Sequence, residues 1–394
     1  MNYRSLTVLF CTMFLIGTDT FIISPLLPAL RELYHASTTE AGWLVAAYAL
    51  GYALFAIVAG PLSDNWNRKR VMTFGMLGFA FATIACGFAD QYAAMFAFRF
   101  LAGVCSAFVG PQVWASVPIL FSPAQIAKAM GIVMTGLTSS QFVGVPLGSF
   151  LAAADISFPF LAVGAASLLL CVFIARSLPD LPPVAAVSVR GATARARSIW
   201  TRYRDLLAVP GASRYFFAYY LLMTGFYAFF SLFGIWLSDQ FGQSTAQIGV
   251  TTVFIGLGNT VGSLVSGWAV ERLGRKNALA ASFLTNALVL SVLPHVSGLT
   301  FVQVLLTGMF CLSGMLVPIL MGLLQTLSAS SRGTISSLAN ACMYAGTLTG
   351  SALAGGLYSS FGFFAVTMLS IAGTLFASLL FLRKPESKPV GVNL

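Results

Sequence analysis

The sequence predicts an all-α polytopic membrane protein with 12 transmembrane helices in two six-helix bundles related by pseudo-two-fold symmetry. The first observation is composition: 58% of the 394 residues are hydrophobic and only 8% are charged, against about 45–50% and about 25% in soluble domains. So few charges cannot cover a water-soluble surface of this size, and lipid must be the solvent for most of the chain. The other two observations are twelve long apolar runs and a loop pattern that occurs once in each half.

Each apolar run is long enough for one span, because a bilayer core of about 30 Å requires about 20 apolar residues per helix. The first run exceeds the apolar core of a signal peptide and contains Asp19, so we interpret it as a retained span. The runs lie near residues 5–30, 41–62, 71–89, 93–120, 126–153, 158–178, 214–237, 246–268, 277–297, 300–325, 335–358 and 362–382.

The distribution of cations predicts the orientation, because Lys and Arg near short loops stay on the cytoplasmic side. With the N-terminus inside, all of the 21 Lys and Arg residues except Arg31 and Arg99 fall on the inner face. The net charge of +10 therefore reflects membrane topology and not nucleic-acid binding. We expect an integral protein of a bacterial-type plasma (inner) membrane with both termini in the cytoplasm.

A long polar stretch divides the spans six and six. The predicted parts are an N-terminal bundle at 1–178, a cytoplasmic linker at 179–213, a C-terminal bundle at 214–382 and a cytoplasmic tail at 383–394. Apolar residues from Ile199 to Leu207 recur at helical spacing opposite arginines. This pattern fits a helix on the membrane surface, and a flexible solvated linker is the alternative.

A glycine, an acid and a basic pair recur at the same spacing after the second and eighth spans, 207 residues apart. Asp64 can accept hydrogen bonds from a helix N-terminus and pair with Arg68 or Arg70, which would latch the two bundles on the inner side. The alternative is that these charges only set the topology. The candidate gating residues are Gly60, Asp64, Arg68, Lys69, Arg70, Gly267, Glu271, Arg272, Gly274 and Arg275.

These motifs resemble those of the major facilitator superfamily, and within it the twelve-span drug:proton antiporter branch, over essentially the whole chain. The loop after the second span resembles the family's loop motif, with Asn65 and Asn67 in place of the usual basic residue and glycine. Arg99-Phe100-Leu101-Ala102-Gly103 is similar to the fourth-span motif of proton-coupled members, with Ala102 in place of a polar residue. Gly17-Thr18-Asp19-Thr20 lies where the family has its first-span motif.

The fifth span carries Gly144-Val145-Pro146-Leu147-Gly148-Ser149, which resembles a variant of the antiporter motif. The resemblance implies secondary active transport, with proton-coupled efflux of lipophilic or amphipathic small molecules by alternating access. Sugar and chloramphenicol exporters share this variant of the motif. A proton-linked exporter or facilitator of sugars, nucleosides or related metabolites is therefore the alternative function.

Asp19 and Arg99 are the ionisable residues well inside apolar spans. Each costs about 2.5–3.5 kcal/mol on insertion scales, so their presence points to a function. Counted along their helices, Asp19 lies about 16 Å and Arg99 about 10 Å below the outer surface. Because an extended Arg side chain can reach across about 6 Å, we expect both to share one cavity wall. Our hypothesis is that Asp19 carries the proton and Arg99 modulates it, and the alternative is a permanent structural pair.

Spans of the second half carry no buried charge, so its share of the cavity is predicted to be neutral. We expect protons, a small-molecule substrate and membrane lipids as partners, a monomer, no nucleic acid, no cofactor and no metal. The spans contain no Ser/His/Asp, HExxH or paired-carboxylate arrangement, so an enzyme is not favoured. Nothing resembles a Walker A sequence, so an ATP-driven pump is not favoured either. A receptor that binds without transport is a further alternative. The candidate substrate contacts are Tyr48, Gln112, Trp114, Gln141, Tyr220, Tyr227, Asn259, Asn286, Asn340 and Tyr344.

Overall fold

The computed structural model describes residues 3–64, 66–181, 199–328 and 332–383, and every regular element in these residues is helical. The first half contains α1 (Tyr3–Leu33), α2 (Thr38–Asp64), α3 (Arg68–Gly87), α4 (Tyr92–Leu120), α5 (Pro123–Ser139), a π-helical turn (Ser140–Gly144), α6 (Val145–Ala154) and α7 (Phe158–Ser177). The second half contains α9 (Ala212–Phe241), α10 (Thr245–Leu273), α11 (Arg275–Val292), a 3₁₀ turn (Leu293–His295), α12 (Leu299–Gln325) and α13 (Arg332–Leu382). Between the halves lies α8 (Ile199–Leu207).

Ten helical segments in the described residues are long and apolar enough to cross a membrane. One of them is most of α13, which contains two predicted spans separated at Gly362. The backbone at Gly362 has φ 74° and ψ −174°, a conformation that essentially only glycine adopts, so the chain turns there. With α2, which is 27 residues long, each of the twelve predicted runs coincides largely with helical structure. The predicted all-α fold with two bundles of spans is confirmed.

The fifth predicted span is made of α5, the π-helical turn and α6. Pro146 has no N–H to donate to the carbonyl four residues earlier, and its ring would clash with that carbonyl in a regular helix. The backbone widens at this point, because the Val145 N–H donates to the Ser140 carbonyl, five residues back. The π-helical turn therefore accommodates the proline without ending the span.

Short polar motifs begin the helices that follow the loops. Ser37 and Glu40 form reciprocal hydrogen bonds at the start of α2, at 2.7 and 3.2 Å. The Asn67 side chain accepts a hydrogen bond of 3.0 Å from the Lys69 N–H at the start of α3. Such caps satisfy backbone donors that have no partner within the helix.

The two halves meet along equivalent surfaces. Ser24 of α1 donates to the Ser231 carbonyl of α9 at 2.9 Å, and these residues are 207 positions apart. Gly42 and Gly249 have the same separation, and each packs against a helix of the other half, α13 and α6 respectively. The spacing of the loop repeat is therefore also the spacing of contacts around the pseudo-two-fold axis.

The predicted linker is described only in part, because residues 182–198 lie outside the described residues. Tyr203 of α8 shares a hydrogen bond of 3.0 Å with Ser337 of α13, and Leu206 is buried. The linker helix therefore packs against the second half. Its position on the membrane surface stays a prediction, as do the boundaries of the linker.

Candidate transport site

Asp19 and Arg99 form a direct ion pair between α1 and α4. The Arg99 Nη1 atom lies 2.7 Å from Asp19 Oδ2, and each side chain is 1% exposed. Among the described residues, the other buried charged side chain is Arg68, near the predicted inner end. The two charges compensate each other in a region where an isolated charge would be costly.

Polar groups of three further positions surround this pair. The guanidinium carbon of Arg99 lies 4.7 Å from the centre of the Tyr48 ring, a cation–π distance. Asp19 interacts electrostatically with Thr83, and the Tyr48 hydroxyl interacts with Ser106. Within the described residues, Asp19 Oδ1 and the hydroxyl groups of Tyr48, Thr83 and Ser106 form no hydrogen bond of ordinary geometry. The ion pair therefore lies among polar groups that still have bonding capacity.

A cavity of about 10 Å³ lies between the halves beside this pair. Its volume is close to the minimum that one water molecule needs, whereas small-molecule sites usually measure about 300–1,000 Å³. In this arrangement the cavity is therefore too small to hold a drug-sized molecule. The lining residues are Thr20, Ile23, Ser24, Val45, Tyr48, Arg99, Tyr227, Phe230, Tyr344 and Thr347.

Two polar or aromatic pairs connect the halves at this level. The rings of Tyr52 and Tyr344 are stacked with centroids 3.6 Å apart. The Asn259 amide donates to Gln141 Oε1 at 2.7 Å. Tyr52 and Asn259 are 207 positions apart in the sequence, so one member of each pair occupies the equivalent position in its own half.

The candidate substrate contacts fall into two groups. Tyr48, Tyr227 and Tyr344 line the central cavity, and Gln141 and Asn259 pair between the halves. The other candidates do not line that cavity. Tyr220 forms a hydrogen bond with Thr349, and Asn286 forms hydrogen bonds with Ser282 and Ser313. Trp114 packs against the core of the first half, Gln112 is buried, and Asn340 is half-buried.

The glycines of the fifth-span motif bring that span against α1. A Cβ atom on Gly144 would overlap with the Thr18 side chain, and one on Gly148 would overlap with Ile22. Pro146 lies across from Gly249 of the second half. The motif therefore packs next to Asp19 on one side and against the other half on the other.

The first gating loop is tied to the segment after α7. Asn67, which replaces the usual glycine, caps α3 and donates to Asp180 Oδ1 at 3.3 Å. The Arg68 N–H donates to the Leu181 carbonyl at 3.0 Å. Lys69 and Arg70 follow in the first turn of α3. Gly60 and Asp64 lie at the end of α2, where the side chains fall outside the described residues, so the proposed latch stays a prediction.

The second gating loop is shorter, because Gly274 alone separates the two helices. Gly274 has φ 75° and joins α10 to α11, so a residue with a side chain would be strained there. Arg272 lies over the Trp268 ring at 5.7 Å, whereas Glu271 and Arg275 are exposed. A Cβ atom on Gly267 would meet no other atom within 4 Å, so close packing does not require that glycine.

Charges at the predicted outer end join the halves, which we did not predict from the sequence. Arg31 Nη2 lies 2.9 Å from Asp239 Oδ1, and the Tyr358 hydroxyl donates to Asp239 Oδ2 at 2.9 Å. Nearby, Thr39 and Ser359 share a hydrogen bond of 3.2 Å. The available signal was the position of Arg31 and Asp239, which are opposite charges near the predicted outer ends of equivalent spans, 208 residues apart.

Relatives of the chain are membrane transporters. It is 44% identical, over 89% of its length and 88% of the relative's, to the uncharacterized MFS-type transporter YceJ of Bacillus subtilis. It is 25% identical to multidrug resistance protein 2 of the same organism, over 86% and 84% of the two chains. Its fold matches the crystal structure of a bacterial homolog of the human lysosomal transporter Spinster, in an inward-facing and unoccupied conformation, with TM-score 0.76, 17% identity and coverage of 98% and 99%.

Residues 9–236 and 215–393 each match the sequence profile of the Major Facilitator Superfamily. The two matches together cover most of the chain, and they agree with the two-bundle fold and the apolar spans described above. Members of this family are transporters, and transporters of this family are generally not enzymes. The chain belongs to the Major Facilitator Superfamily and is an integral membrane transporter of a small-molecule substrate.

Proposed function

We propose that this transporter exports lipophilic or amphipathic small molecules in exchange for protons, by alternating access. The observation that carries the proposal is the buried ion pair of Asp19 and Arg99, at 2.7 Å. The similarity to a multidrug resistance protein supports the choice of substrate class. In this proposal the protein lies in a bacterial inner membrane as a monomer with both termini in the cytoplasm.

Asp19 is the proton carrier in this mechanism. Burial favours a protonated carboxyl group, and a nearby guanidinium favours the carboxylate. A conformational change that moves Arg99 or admits water therefore loads or releases the proton. One proton moving inward at 100 mV supplies about 2.3 kcal/mol, enough to drive a neutral solute outward against roughly a fiftyfold gradient.

The contacts between the halves support the proposal of alternating access. Arg31 with Asp239, and Thr39 with Ser359, connect the halves at the predicted outer end. The central cavity beside Arg99 is too small for a substrate in this arrangement. We infer that separation at the predicted inner end enlarges the cavity, and that the outer contacts must break for release.

Reconstitution in vesicles with an imposed pH gradient tests the coupling. The flux of a lipophilic dye, and proton release when the dye is added, are measured for the wild type and for Asp19→Asn. We expect the wild type to accumulate dye against its gradient and Asp19→Asn to bind the dye but lose accumulation. Asp155→Asn is the matched control, because Asp155 is an exposed loop carboxylate that contacts Ser157 of its own half.

Two results would contradict the proposal. Full gradient-driven flux in Asp19→Asn would show that Asp19 does not carry the proton. Specific binding of solutes without any flux in the wild type would instead favour a receptor. Accumulation of sugars or nucleosides driven by the pH gradient, without flux of dyes, would replace the substrate class and leave the coupling mechanism in place.

A further inference from the structure

A lateral cavity of about 630 Å³ lies on the first half, between α3 and α4 and away from the central site. It begins at the predicted inner end, beside the loop before α3, and continues toward the middle of the predicted membrane. Its volume is within the usual range for sites that bind small organic molecules. It is about sixty times larger than the central cavity, so its occupant does not depend on separation of the halves.

The entrance of this groove is polar and positively charged. Arg70 is exposed in the first turn of α3, and Trp66 is 54% exposed just before that helix. An exposed indole at a helix end is typical of the headgroup level of a membrane. Asn67, the third entrance residue, is engaged in the cap of α3 and with Asp180. Arg70 is therefore the entrance group best placed to bind an anion, and a guanidinium is well suited to phosphate oxygens.

The interior of the groove is apolar. Phe74 lies one helical turn beyond Arg70 and is 70% exposed, so its ring forms an open wall on the lipid side. Val104 and Phe108 of α4 form the opposite wall. The groove therefore presents a cation at the headgroup level and an apolar channel that leads into the hydrocarbon region.

We propose that this groove is a binding site for an anionic phospholipid of the inner leaflet. Arg70 binds the phosphate of the headgroup, Trp66 packs beside it, and one acyl chain lies between Phe74 and the wall of α4. Charge complementarity selects this occupant, because basic pockets at the cytoplasmic ends of spans attract anionic headgroups. The proposal goes beyond the transport function and does not depend on it.

Lipid binding to the purified full-length protein tests the site. Native mass spectrometry is used to compare phosphatidylglycerol with phosphatidylcholine that has the same acyl chains. We expect the wild type to bind phosphatidylglycerol more tightly and Arg70→Gln to bind it about fivefold more weakly, as one basic group near an anionic surface contributes. Higher ionic strength should reduce the preference of the wild type.

The matched control is Lys276→Gln, which removes the same charge from the equivalent loop of the second half, where Lys276 is exposed. This variant should keep the wild-type preference. Phe74→Ala should weaken binding of both lipids equally, because it removes the apolar wall and leaves the cation. Equal binding of phosphatidylglycerol by the wild type, Arg70→Gln and Lys276→Gln would overturn the proposal. Equal binding of phosphatidylglycerol and phosphatidylcholine by the wild type would also overturn it.

Discussion

Asp19 and Arg99 show how a membrane interior constrains individual residues. Their predicted depths differ by about 6 Å, and in the structure the side chains meet directly at 2.7 Å. Each charge makes the other tolerable, because a buried charge without a partner is far more costly than a buried pair. The contact therefore predicts that the effect of removing one charge on the stability of the protein depends on whether the other charge is present.

A double-mutant cycle measures this dependence. We expect Arg99→Gln to destabilise the protein by up to about 3–5 kcal/mol, the cost of leaving the Asp19 carboxylate buried without a counter-charge. Uptake of a proton by Asp19 lowers this cost. The double variant Asp19→Asn with Arg99→Gln should recover most of this loss, since neither charge remains. Thermal unfolding of the four proteins in the same detergent gives the comparison. Strictly additive losses would show that the two charges do not stabilise each other.

At the scale of the helices, small residues decide which spans can approach each other. A Cβ atom on Gly103 of α4 would overlap with the Tyr48 carbonyl of α2, and one on Gly51 of α2 would overlap with the Phe100 carbonyl of α4. Gly258 and Gly262 of α10, four positions apart, behave alike, because a Cβ atom on either would overlap with backbone atoms of α12. Membrane helices lack a strong hydrophobic force between them, so close backbone packing contributes much of their association.

Gly144→Ala should destabilise the first bundle by about 1–3 kcal/mol, the usual cost of overpacking. The Thr18 Cβ atom would lie 3.0 Å from the new methyl group, and the Thr18 hydroxyl is held by the Phe14 carbonyl, so the backbone must shift. Gly131→Ala is the control on the same predicted span, because its site is open within 4 Å. That substitution should be neutral or stabilise by up to about 1 kcal/mol. Equal melting temperatures for the two variants would contradict this packing.

For the whole molecule, the contacts around the pseudo-two-fold axis hold the predicted outer end closed. The Ser24 hydroxyl donates across the axis to the carbonyls of Phe230 and Ser231, and Arg31 pairs with Asp239 nearby. The ion pair is partly exposed, at 27% and 35% for its two side chains, so solvent screens it. The contact between the halves at this end therefore depends on several modest interactions, as the proposed alternating access requires.

Asp239→Asn should raise the population that is open at this end by at most about fivefold, since a partly exposed pair contributes about 0.2–1 kcal/mol. Pulsed EPR distances between spin labels on the loops after α1 and after α9 measure this population. Asp155→Asn is the control at the same end, because Asp155 bonds within its own half. Hydrogen bonds from the Ser157 hydroxyl and N–H lower the pKa of Asp155, so that control also removes a charged carboxylate. An equal increase of the open population in both variants would show that the ion pair of Arg31 and Asp239 does not keep the predicted outer end closed.

The sequence alone was sufficient for the spans, the two halves and the family, because the apolar length of a span is a local property that needs no knowledge of neighbours. It was also sufficient to identify Asp19 and Arg99, since a charge inside an apolar run is conspicuous wherever the helix faces. The loop repeat at 207 residues indicated the symmetry of the two halves. That Ser24 contacts Ser231, at the same spacing, is known only from the tertiary structure.

Only the tertiary structure decided which faces of the helices meet. In a soluble helix an apolar stripe marks the buried face, whereas in these spans the lipid-facing and protein-facing sides are both apolar and the pattern carries little information about rotation. For this reason Tyr344 and Tyr48 could not be separated from Tyr220 and Asn286 as residues near the central cavity. The same reason applies to the stack of Tyr52 on Tyr344 and to the groove at Arg70, because each arises where two helices of fixed rotation come together.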